Sequence, residues 1–399
     1  MCGDVTNWDE ETYRETILKD REIQTRTVFR TAWAPSQNPN PDSIVVASSD
    51  GSLGSYSISS IISDLGTPKL HSIYFEAEPE CFLQGHEGPL YDVKFYGDGE
   101  DALFLSCGDD GRIRGWRWKD CTESYAPIPL QGKHMRPVLD LAFYILIWYF
   151  LITVFSFSSH VIVLCRGPCI AVNTLSGSIY AAAGDSCAYC WDVDTGQVKM
   201  VYKGHSDYLH SITARNSTNQ IITGSEDGTA RIWEEEVMRC NLDYRSGKCI
   251  QVIEPGKEMK LKGHSSYVGC ISLDASESWL ACGSGRSLSV WNLPASECIS
   301  KISTSASVQD VVFDENQILA VVAELLLNRF NINGEILSQI QCAPQSAFSV
   351  SLHPSGPLVV MEVLLMSSHN LEATHAHFAA NLNIKNSTAV STCVNMLLK

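Results

Sequence analysis

Two Gly-His pairs in this 399-residue chain are each followed, at similar spacing, by a hydroxyl side chain, an aspartate and a tryptophan. The two sets are His86, Ser106, Asp110 and Trp116, and His205, Thr223, Asp227 and Trp233. Histidine and aspartate are common acid–base catalysts, but these four side-chain types can also satisfy one another by hydrogen bonds inside a fold. We predict the structural role and no enzymatic activity, because the sequence contains no Gly-rich phosphate loop, Gly-x-Ser-x-Gly elbow or His-Glu-x-x-His zinc motif.

An internal repeat indicates which elements must position these residues. An aspartate precedes an aromatic residue by six positions at Asp50 and Tyr56, Asp110 and Trp116, Asp185 and Trp191, and Asp227 and Trp233. Weaker copies end at Trp291 and Phe330, and a further copy begins at Ala347. Each copy alternates short strand patterns with Asp-Gly or Gly-rich turns over about 40 residues, which is the period of a WD40 blade. We therefore predict an all-β WD40 β-propeller of nominally seven blades, with the last blade incomplete.

Two segments interrupt the repeat. Trp191 and Trp233 are one period apart, whereas the longer spacings before and after them predict insertions at about 141–169 and 235–245. Within the first, residues 141–165 contain no Asp, Glu, Lys or Arg, and the run is long enough to span a bilayer as a helix. We predict no membrane span, because strands of one ring flank the run on both sides. We interpret it as non-native sequence, such as a translated intron.

Both ends of the chain are predicted to lie outside the propeller, which we assign to residues 27–360. The N-terminal extension, 1–26, carries a helix-capping pattern at Asn7 and Glu10, which predicts a short helix. Residues 361–399 contain no Gly, Pro, Trp or Tyr and therefore no turn signals. We expect this segment to be an irregular tail that leaves the last blade without recognisable inner strands.

Charge and cysteine content predict protein partners, with no cofactor and no metal. The chain has 29 Lys+Arg and 45 Asp+Glu, and the net charge of −16 disfavours direct binding to nucleic-acid phosphates. Its 15 cysteines lack a disulfide framework, as is typical of a reducing compartment. Cys187 and Cys190 have the spacing of half a zinc site, but strand positions three apart face opposite sides. His369, His375 and His377 lie in the predicted tail, where no fold is expected to bring them together.

Three tyrosines are candidates for a partner-binding rim. In a propeller, the loops before the His-bearing strands and the tight Asp turns lie at one rim. Tyr208 and Tyr267 follow their Gly-His histidines by three residues, and Tyr91 lies in the comparable region of an earlier copy. Tyrosine is enriched at protein interfaces because it buries a large area at little entropic cost. The alternative is that these rings only cover the central channel.

Five segments carry a family resemblance. They are Gly-Asp-Val-Thr-Asn-Trp at 3–8, Arg-Thr-Val-Phe-Arg-Thr-Ala-Trp-Ala-Pro at 26–35, His-Glu-Gly-Pro at 86–89, Ala-Ala-Gly-Asp-Ser-Cys-Ala-Tyr-Cys-Trp-Asp at 182–192, and Trp-Asn-Leu-Pro-Ala-Ser-Glu-Cys at 291–298. These segments resemble the plant THO complex subunit 6 family over residues 1–139, 171–234 and 246–360. The resemblance implies a non-catalytic WD40 subunit of the nuclear THO/TREX assembly, which acts in messenger RNA processing and export. It also implies other THO/TREX subunits as partners and only indirect contact with RNA.

A substrate receptor of a cullin-4 type ubiquitin ligase is the alternative function. Many WD40 proteins dock the propeller adaptor of that ligase through a Trp-Asp-x-Arg ending. The nearest match here is Trp233-Glu234-Glu235-Glu236, with glutamate where arginine is required. The predicted insertion after Trp233 leaves this alternative open.

Overall fold

The computed structural model describes residues 28–36, 41–60, 75–77, 79–122, 139–142, 169–235, 245–256, 267–323, 326–341, 346–354, 358–366, 373–381 and 393–398. The predicted N-terminal helix therefore lies outside the described residues. The same is true of 143–168 and 236–244, which form most of the two predicted insertions. In the part of the chain that is described, no helix has the length and apolar character to cross a bilayer.

Short antiparallel strands form units of four, in which each strand pairs with its neighbours along the chain. Unit 1 is β1 (Val28–Trp33), β2 (Ser43–Ser48), β3 (Ser52–Ser57) and β5 (Cys81–Gln84). Unit 2 is β6 (Leu90–Tyr96), β7 (Leu103–Gly108), β8 (Arg112–Arg117) and β9 (Leu139–Ala142), with helix α1 (Trp118–Thr122) after β8. Unit 3 is β10 (Cys169–Asn173), β11 (Ser178–Ala182), β12 (Cys187–Asp192) and β13 (Val198–Lys203).

The remaining units follow the same order. Unit 4 is β14 (Leu209–Arg215), β15 (Gln220–Ser225), β16 (Ala230–Glu235) and β17 (Arg245–Ile253). Unit 5 is β18 (Val268–Leu273), β19 (Trp279–Ser284), β20 (Ser287–Asn292) and β21 (Glu297–Ser303). Unit 6 is β22 (Val308–Asp314), β23 (Gln317–Val322), β24 (Leu326–Asn331) and β25 (Ile336–Gln341). Unit 7 is β26 (Ser346–Leu352), β27 (Leu358–Met366), β28 (Ala373–Asn381) and β29 (Cys393–Leu398), with β4 (Phe75–Ala77) added in parallel to β29.

The first strands of the units contact one another in sequence around a closed ring. Each of β1, β6, β10, β14, β18 and β22 contacts the first strand of the next unit, and β26 contacts β1. The hydroxyl groups of Thr31 and Ser351 form a hydrogen bond across the closure, with their oxygens 2.8 Å apart. His353 contributes an Nε2 contact of 2.9 Å to the carbonyl of Pro41. Because the ring is closed, each first strand contacts a first strand on both sides. Ring closure of this kind is how a propeller limits exposed sheet edges.

The second strands of units 2, 4, 5 and 6 are buried on both faces, since each lies between two neighbouring units. In β7, β15, β19 and β23, every residue after the first is buried. Their sequences are therefore continuous apolar or small-residue runs such as Ile-Ile-Thr-Gly-Ser and Ile-Leu-Ala-Val-Val. The core of the molecule consists of these strands and the faces that pack on them.

The C-terminal segment differs from the sequence expectation of an irregular tail. Strands β27 (Leu358–Met366), β28 (Ala373–Asn381) and β29 (Cys393–Leu398) continue the sheet of unit 7. A physical reason exists for β27 and β29, which contain strand-forming Val and Leu residues and no Gly or Pro, whereas β28 contains neither Val nor Leu. The blade number of the complete chain and the domain boundaries stay predictions.

Six of the first strands carry an extra residue near their beginning. The extra residues, at which two residues oppose one on the second strand, are Phe29, Tyr91, His210, Gly269, Gln309 and Phe348. Such a β-bulge re-aims the side chains on either side of it. Because the bulges recur at one position, they bring equivalent residues of different units to the same level of the ring.

Candidate functional site

The His205 set of unit 4 forms a continuous chain of hydrogen bonds. Trp233 Nε1 donates to Thr223 Oγ1 at 2.8 Å, and Thr223 Oγ1 lies 2.7 Å from His205 Nε2. His205 Nδ1 lies 2.8 Å from Asp227 Oδ2. All bonds are satisfied when Nδ1 carries the imidazole proton, because Thr223 then donates to Nε2 and accepts from the indole. The donor-to-acceptor direction of these hydrogen bonds is the same throughout, from Trp233 through Thr223 and His205 to Asp227.

The electrostatics of this set favour a neutral imidazole beside a charged carboxylate. Burial lowers the pKa of His205, although hydrogen bonding to Asp227 acts in the opposite direction. Burial raises the pKa of Asp227, but hydrogen bonds from Thr229 and His205 outweigh it and bring this pKa to about 2. The polar side-chain groups of this hydrogen-bonded set therefore all have partners inside the fold, so the set is suited to a structural role.

The His86 set of unit 2 is assembled differently. His86 Nδ1 lies 2.8 Å from Asp110 Oδ1, and Nε2 lies 2.8 Å from Ser106 Oγ. Trp116 packs edge-on to the imidazole at 6.3 Å, yet its Nε1 has no hydrogen-bond partner among the described residues. Arg114 Nη1 lies 3.1 Å from Asp110 Oδ2 and also binds the carbonyl of Gly85. The structure thus brings three of the four predicted residues into one hydrogen-bonded set, and places Trp116 against them by packing.

Four aspartates hold the tight turns between the second and third strands. Each accepts the backbone N–H two residues further on, at 3.0 Å for Asp50, 3.2 Å for Asp110, 3.1 Å for Asp185 and 2.9 Å for Asp227. The residue between is left-handed, at Gly51, Gly111, Ser186 and Gly228. Glycine adopts this conformation at little cost, which explains the Asp-Gly dipeptides of the repeat.

The three predicted rim tyrosines are all half-buried, and each contacts a different residue. Tyr91, itself a bulge residue, packs on Phe29 with ring centroids 5.2 Å apart. Tyr267 packs edge-on against His210 at 5.7 Å. Tyr208 lies beside Gly184, where an added Cβ would be 3.5 Å from its ring.

Two residues beside the predicted rim tyrosines, His210 and Asp109, were missed by sequence analysis. His210 Nε2 lies 2.6 Å from Glu226 Oε2, which gives the Tyr267 ring a polar neighbour. Tyr91 hydrogen-bonds to Asp109, whose pKa is raised by burial. The signal that could have identified His210 is its position directly after the first apolar residue of a first strand, where the bulges occur.

A charged cluster on the first strands was also missed. Arg30 of β1 places Nε 3.3 Å from Asp92 Oδ1 of β6 and Nη1 2.5 Å from Asp310 Oδ2 of β22. Both carboxylates are buried, at 2% and 4% exposure. Asp92 accepts the N–H of Ile170 in β10 at 2.9 Å, and Asp310 accepts the N–H of Val350 in β26 at 3.1 Å. The cluster therefore connects five first strands around the ring.

Metal-binding geometry is not present in the part of the chain that the structure describes, where no three His, Cys, Asp or Glu side chains gather as ligands would. Cys187 and Cys190 lie on β12, opposite Lys203 and Met200 of β13. Burial raises the pKa of the Cys187 thiol, which disfavours the thiolate that a metal needs. His369 lies outside the described residues, and His375 and His377 lie on β28. The prediction of no metal and no cofactor stays a prediction.

Four-stranded antiparallel units, Asp turns, His–Asp pairs and a closed ring of first strands together define a WD40 β-propeller. The family model described as WD domain, G-beta repeat matches residues 77–117, 196–234 and 255–292, which confirms the predicted fold class. THO complex subunit 6 of Arabidopsis thaliana is 52% identical over 376 residues, covering 90% of this chain and 93% of the relative. The human protein of the same name is 24% identical, covering 82% and 84%. The chain belongs to the THO complex subunit 6 family, as its sequence segments predicted.

Proposed function

We propose that the chain is a non-catalytic WD40 scaffold subunit of the nuclear THO/TREX complex, and that it acts in messenger RNA processing and export through protein–protein interaction. The observation that carries the proposal is the 52% identity over 90% of the chain to a protein named THO complex subunit 6. The hydrogen-bond sets add support, because the histidines and aspartates that resemble catalytic groups are bound to one another and hold the fold together. The partners are other THO/TREX subunits.

Charge and location follow from the same proposal. A chain with a net charge of −16 repels nucleic-acid phosphates, so RNA is reached indirectly through partner subunits. The site of action is the nucleus. No long Lys/Arg cluster in the sequence reads as an import signal, which favours entry together with a partner.

Tyr91, Tyr208 and Tyr267 form part of the partner-binding rim in this proposal. Half-buried aromatic rings lose little entropy when a partner covers them, and they supply a large contact area. Tyr91 offers a matched test, because Tyr96 lies at the opposite end of the same strand, β6. Tyr91→Ala should lower the yield of co-purified THO subunits, whereas Tyr96→Ala should not.

The domain arrangement belongs to the proposal as well. A helical extension at 1–26 precedes a propeller at 27–360, which is interrupted at about 141–169 and 235–245. Residues 361–399 follow as a segment outside the family pattern, although most of β27 and all of β28 and β29 lie in it and complete the sheet of unit 7.

A tagged pull-down from nuclear extract, with and without ribonuclease, tests the proposed function. Quantitative mass spectrometry should find THO subunits in stoichiometric yield after ribonuclease treatment. Loss of those subunits on ribonuclease treatment would contradict a protein-bound scaffold. Recovery of cullin-4 and its adaptor without THO subunits would instead favour the ubiquitin-ligase receptor, although Trp233 is followed by glutamates where that docking motif needs Asp and Arg.

A further inference from the structure

The exposed large hydrophobic residues are concentrated on one side of the propeller. Among the described residues they are Leu175, Ile250, Val252, Ile299, Ile336 and Leu337. All but Leu175 lie on β17, β21 and β25, the outermost strands of units 4, 5 and 6. We call these three strands the apolar flank. Clustered exposed apolar residues mark interaction sites more often than scattered ones do.

A groove of about 490 Å³ opens within this flank, between β17 and β21. Ile253 and the half-buried Trp291 lie among its lining residues, together with Val252 and Ile299, which are 47% and 41% exposed. Ile299 and Ser300 both line the groove, and Ser300 donates its hydroxyl to the carbonyl of Ile332 at 2.8 Å. The groove therefore presents aliphatic side chains from two different strands to one occupant.

The backbone at the groove suits an extended occupant. Among the described strands, β21 is the last strand of its sheet, and β17 pairs on its outer side only at Arg245 and Ser246. The outer edges of both strands thus offer backbone N–H and carbonyl groups that a further strand can bind.

Among the described residues, parallel strand pairing occurs in two places, once between the outermost strands of units 3 and 4 and once where β4 joins unit 7. At the gap between units 3 and 4, β13 pairs with β17 through Met200↔Arg245 and Val201↔Ser246. In unit 7, β4 pairs with β29 through three residue pairs. At the gap between units 4 and 5, no described strand takes this position, and the groove occupies it instead.

Charged residues set further limits on the occupant. Glu254 and Lys301 both line the groove, so residues of both signs stand beside the aliphatic surface. On β21 the groove is lined by Ile299 and Lys301, and at the end of β17 by Ile253 and Glu254, so an aliphatic residue lies near a charged residue on each side. This pattern complements a strand with aliphatic residues at its centre and a charged residue of each sign at its ends.

We propose that an extended segment of a partner protein, with aliphatic side chains at alternate positions, binds in the groove between β17 and β21. This lateral site is distinct from the rim of the three tyrosines. It depends on the proposed function only for the identity of the complex that supplies the partner.

Photo-crosslinking in the full-length chain tests this proposal. A benzophenone amino acid replaces Ile299, and in a control it replaces Leu175, the exposed hydrophobic residue outside the apolar flank. The tagged complexes are isolated from nuclei, irradiated and digested, and the crosslinked peptides are sequenced by mass spectrometry. We expect position 299, but not position 175, to crosslink to one short segment of another protein with alternating aliphatic residues.

Substitution then establishes whether that segment binds in the groove. A fluorescent synthetic peptide of the crosslinked segment should bind the purified chain, and Ile299→Arg and Val252→Arg should each weaken binding about tenfold or more. Leu175→Arg should leave binding unchanged. Circular dichroism of all variants verifies that they fold, as expected for substitutions of exposed residues.

The remaining outcomes overturn the proposal. These are crosslinks to residues 257–266 of the same chain, crosslinks to a second copy, no crosslink from position 299, or a segment whose binding the arginine variants leave intact. Failure of the proposed function has a different signature. In that case position 299 crosslinks to a segment with alternating aliphatic residues and the arginine variants weaken its binding, but its parent protein is not a THO/TREX subunit.

Discussion

Thr223 holds the hydrogen-bond chain of unit 4 together, because its hydroxyl serves two partners at once. It contacts His205 Nε2 at 2.7 Å and accepts from Trp233 Nε1 at 2.8 Å. In unit 2, Ser106 contacts His86 in the same way, but the indole of Trp116 does not reach this network. The same sequence motif therefore stabilises the two units to different degrees.

Replacement of Thr223 by valine should be more destabilising than replacement of Ser106 by alanine. Valine preserves the shape of threonine but leaves the indole N–H and the imidazole Nε2 buried without partners, at a cost of about 1–3 kcal/mol for each unsatisfied group. The midpoint of urea unfolding, followed by tryptophan fluorescence, measures the difference. Thr218→Val, at an exposed turn, is the matched control and should leave the midpoint unchanged. Equal losses for Thr223→Val and Ser106→Ala would contradict the role assigned to Thr223.

Acid should destabilise the protein through His205 and Asp227. The pKa of His205 in the folded state is lowered by burial, and that of Asp227 is lowered to about 2 by its hydrogen bonds despite burial. The corresponding values in unfolded chains are about 6.5 and 3.9. In each case the unfolded state takes up the proton more readily, so stability is greatest above pH ~6.5. It falls as the pH drops below ~6.5, and falls further from pH ~4 towards 2.

Urea midpoints measured from pH 7 to pH 3 test this dependence. Asp227→Asn should be less stable at pH 7 and should lose less stability than the unsubstituted protein below pH ~4, because it removes the depressed carboxyl group. Asp194→Asn, at an exposed position, is the control and should keep the original profile. An unchanged acid slope in Asp227→Asn would show that other groups cause the acid loss.

At the scale of the strands and turns, sequence reasoning found what is encoded locally. The dipeptides Asp110-Gly111 and Asp227-Gly228 predicted tight turns, and the structure has a left-handed glycine at each. The bulges were missed, since strict alternation assumes one residue opposite one. In β6 the register shifts between Leu90 and Asp92, and the consecutive residues Asp92 and Val93 are both buried, which alternation does not anticipate.

Gly51→Ala should be clearly more destabilising than Gly99→Ala. Both glycines are left-handed, with φ of 81° and 72°, so both substitutions carry a backbone cost of about 1–2 kcal/mol. A Cβ at position 51 would also lie 2.4 Å from the carbonyl oxygen of His86, whereas nothing lies within 4 Å of a Cβ at position 99. Thermal unfolding compares the two variants, and equal melting temperatures would exclude the close approach at the Asp50 turn.

At the scale of the whole molecule, the repeat predicted the ring but not the side chains that close it. Asp310, one partner of Arg30, lies 280 residues further along the chain, and Ser351, the partner of Thr31, lies 320 residues further along. No local sequence pattern connects these pairs. Asp310 follows Gln309 on a strand that also ends in Asp314, so its sequence context alone gives no reason for this charge to be the buried one. Only the closed arrangement of β1, β22 and β26 supplies one.

Arg30→Met should therefore destabilise the whole ring. It leaves Asp92 and Asp310 buried without their cation, and breaking a buried ion pair costs about 3–5 kcal/mol. The triple variant Arg30→Met, Asp92→Asn, Asp310→Asn should recover a large part of this loss, since it removes the uncompensated charges. Arg286→Met, at an exposed position, is the control, and urea unfolding is the measurement. A triple variant no more stable than Arg30→Met would contradict the electrostatic explanation.

The contact between Arg30 and Asp310 can form only late in translation, because the two residues are far apart in sequence. Ribosomes add about 5–20 residues per second, so the 280 residues between the two partners correspond to a delay of roughly 14–56 seconds. During that interval β1 has emerged, but β22 and β26 have not yet been completed, so Arg30 and Thr31 lack their partners Asp310 and Ser351. The nascent chain therefore passes through a prolonged window in which a chaperone can bind β1, and this window ends when the last unit is released.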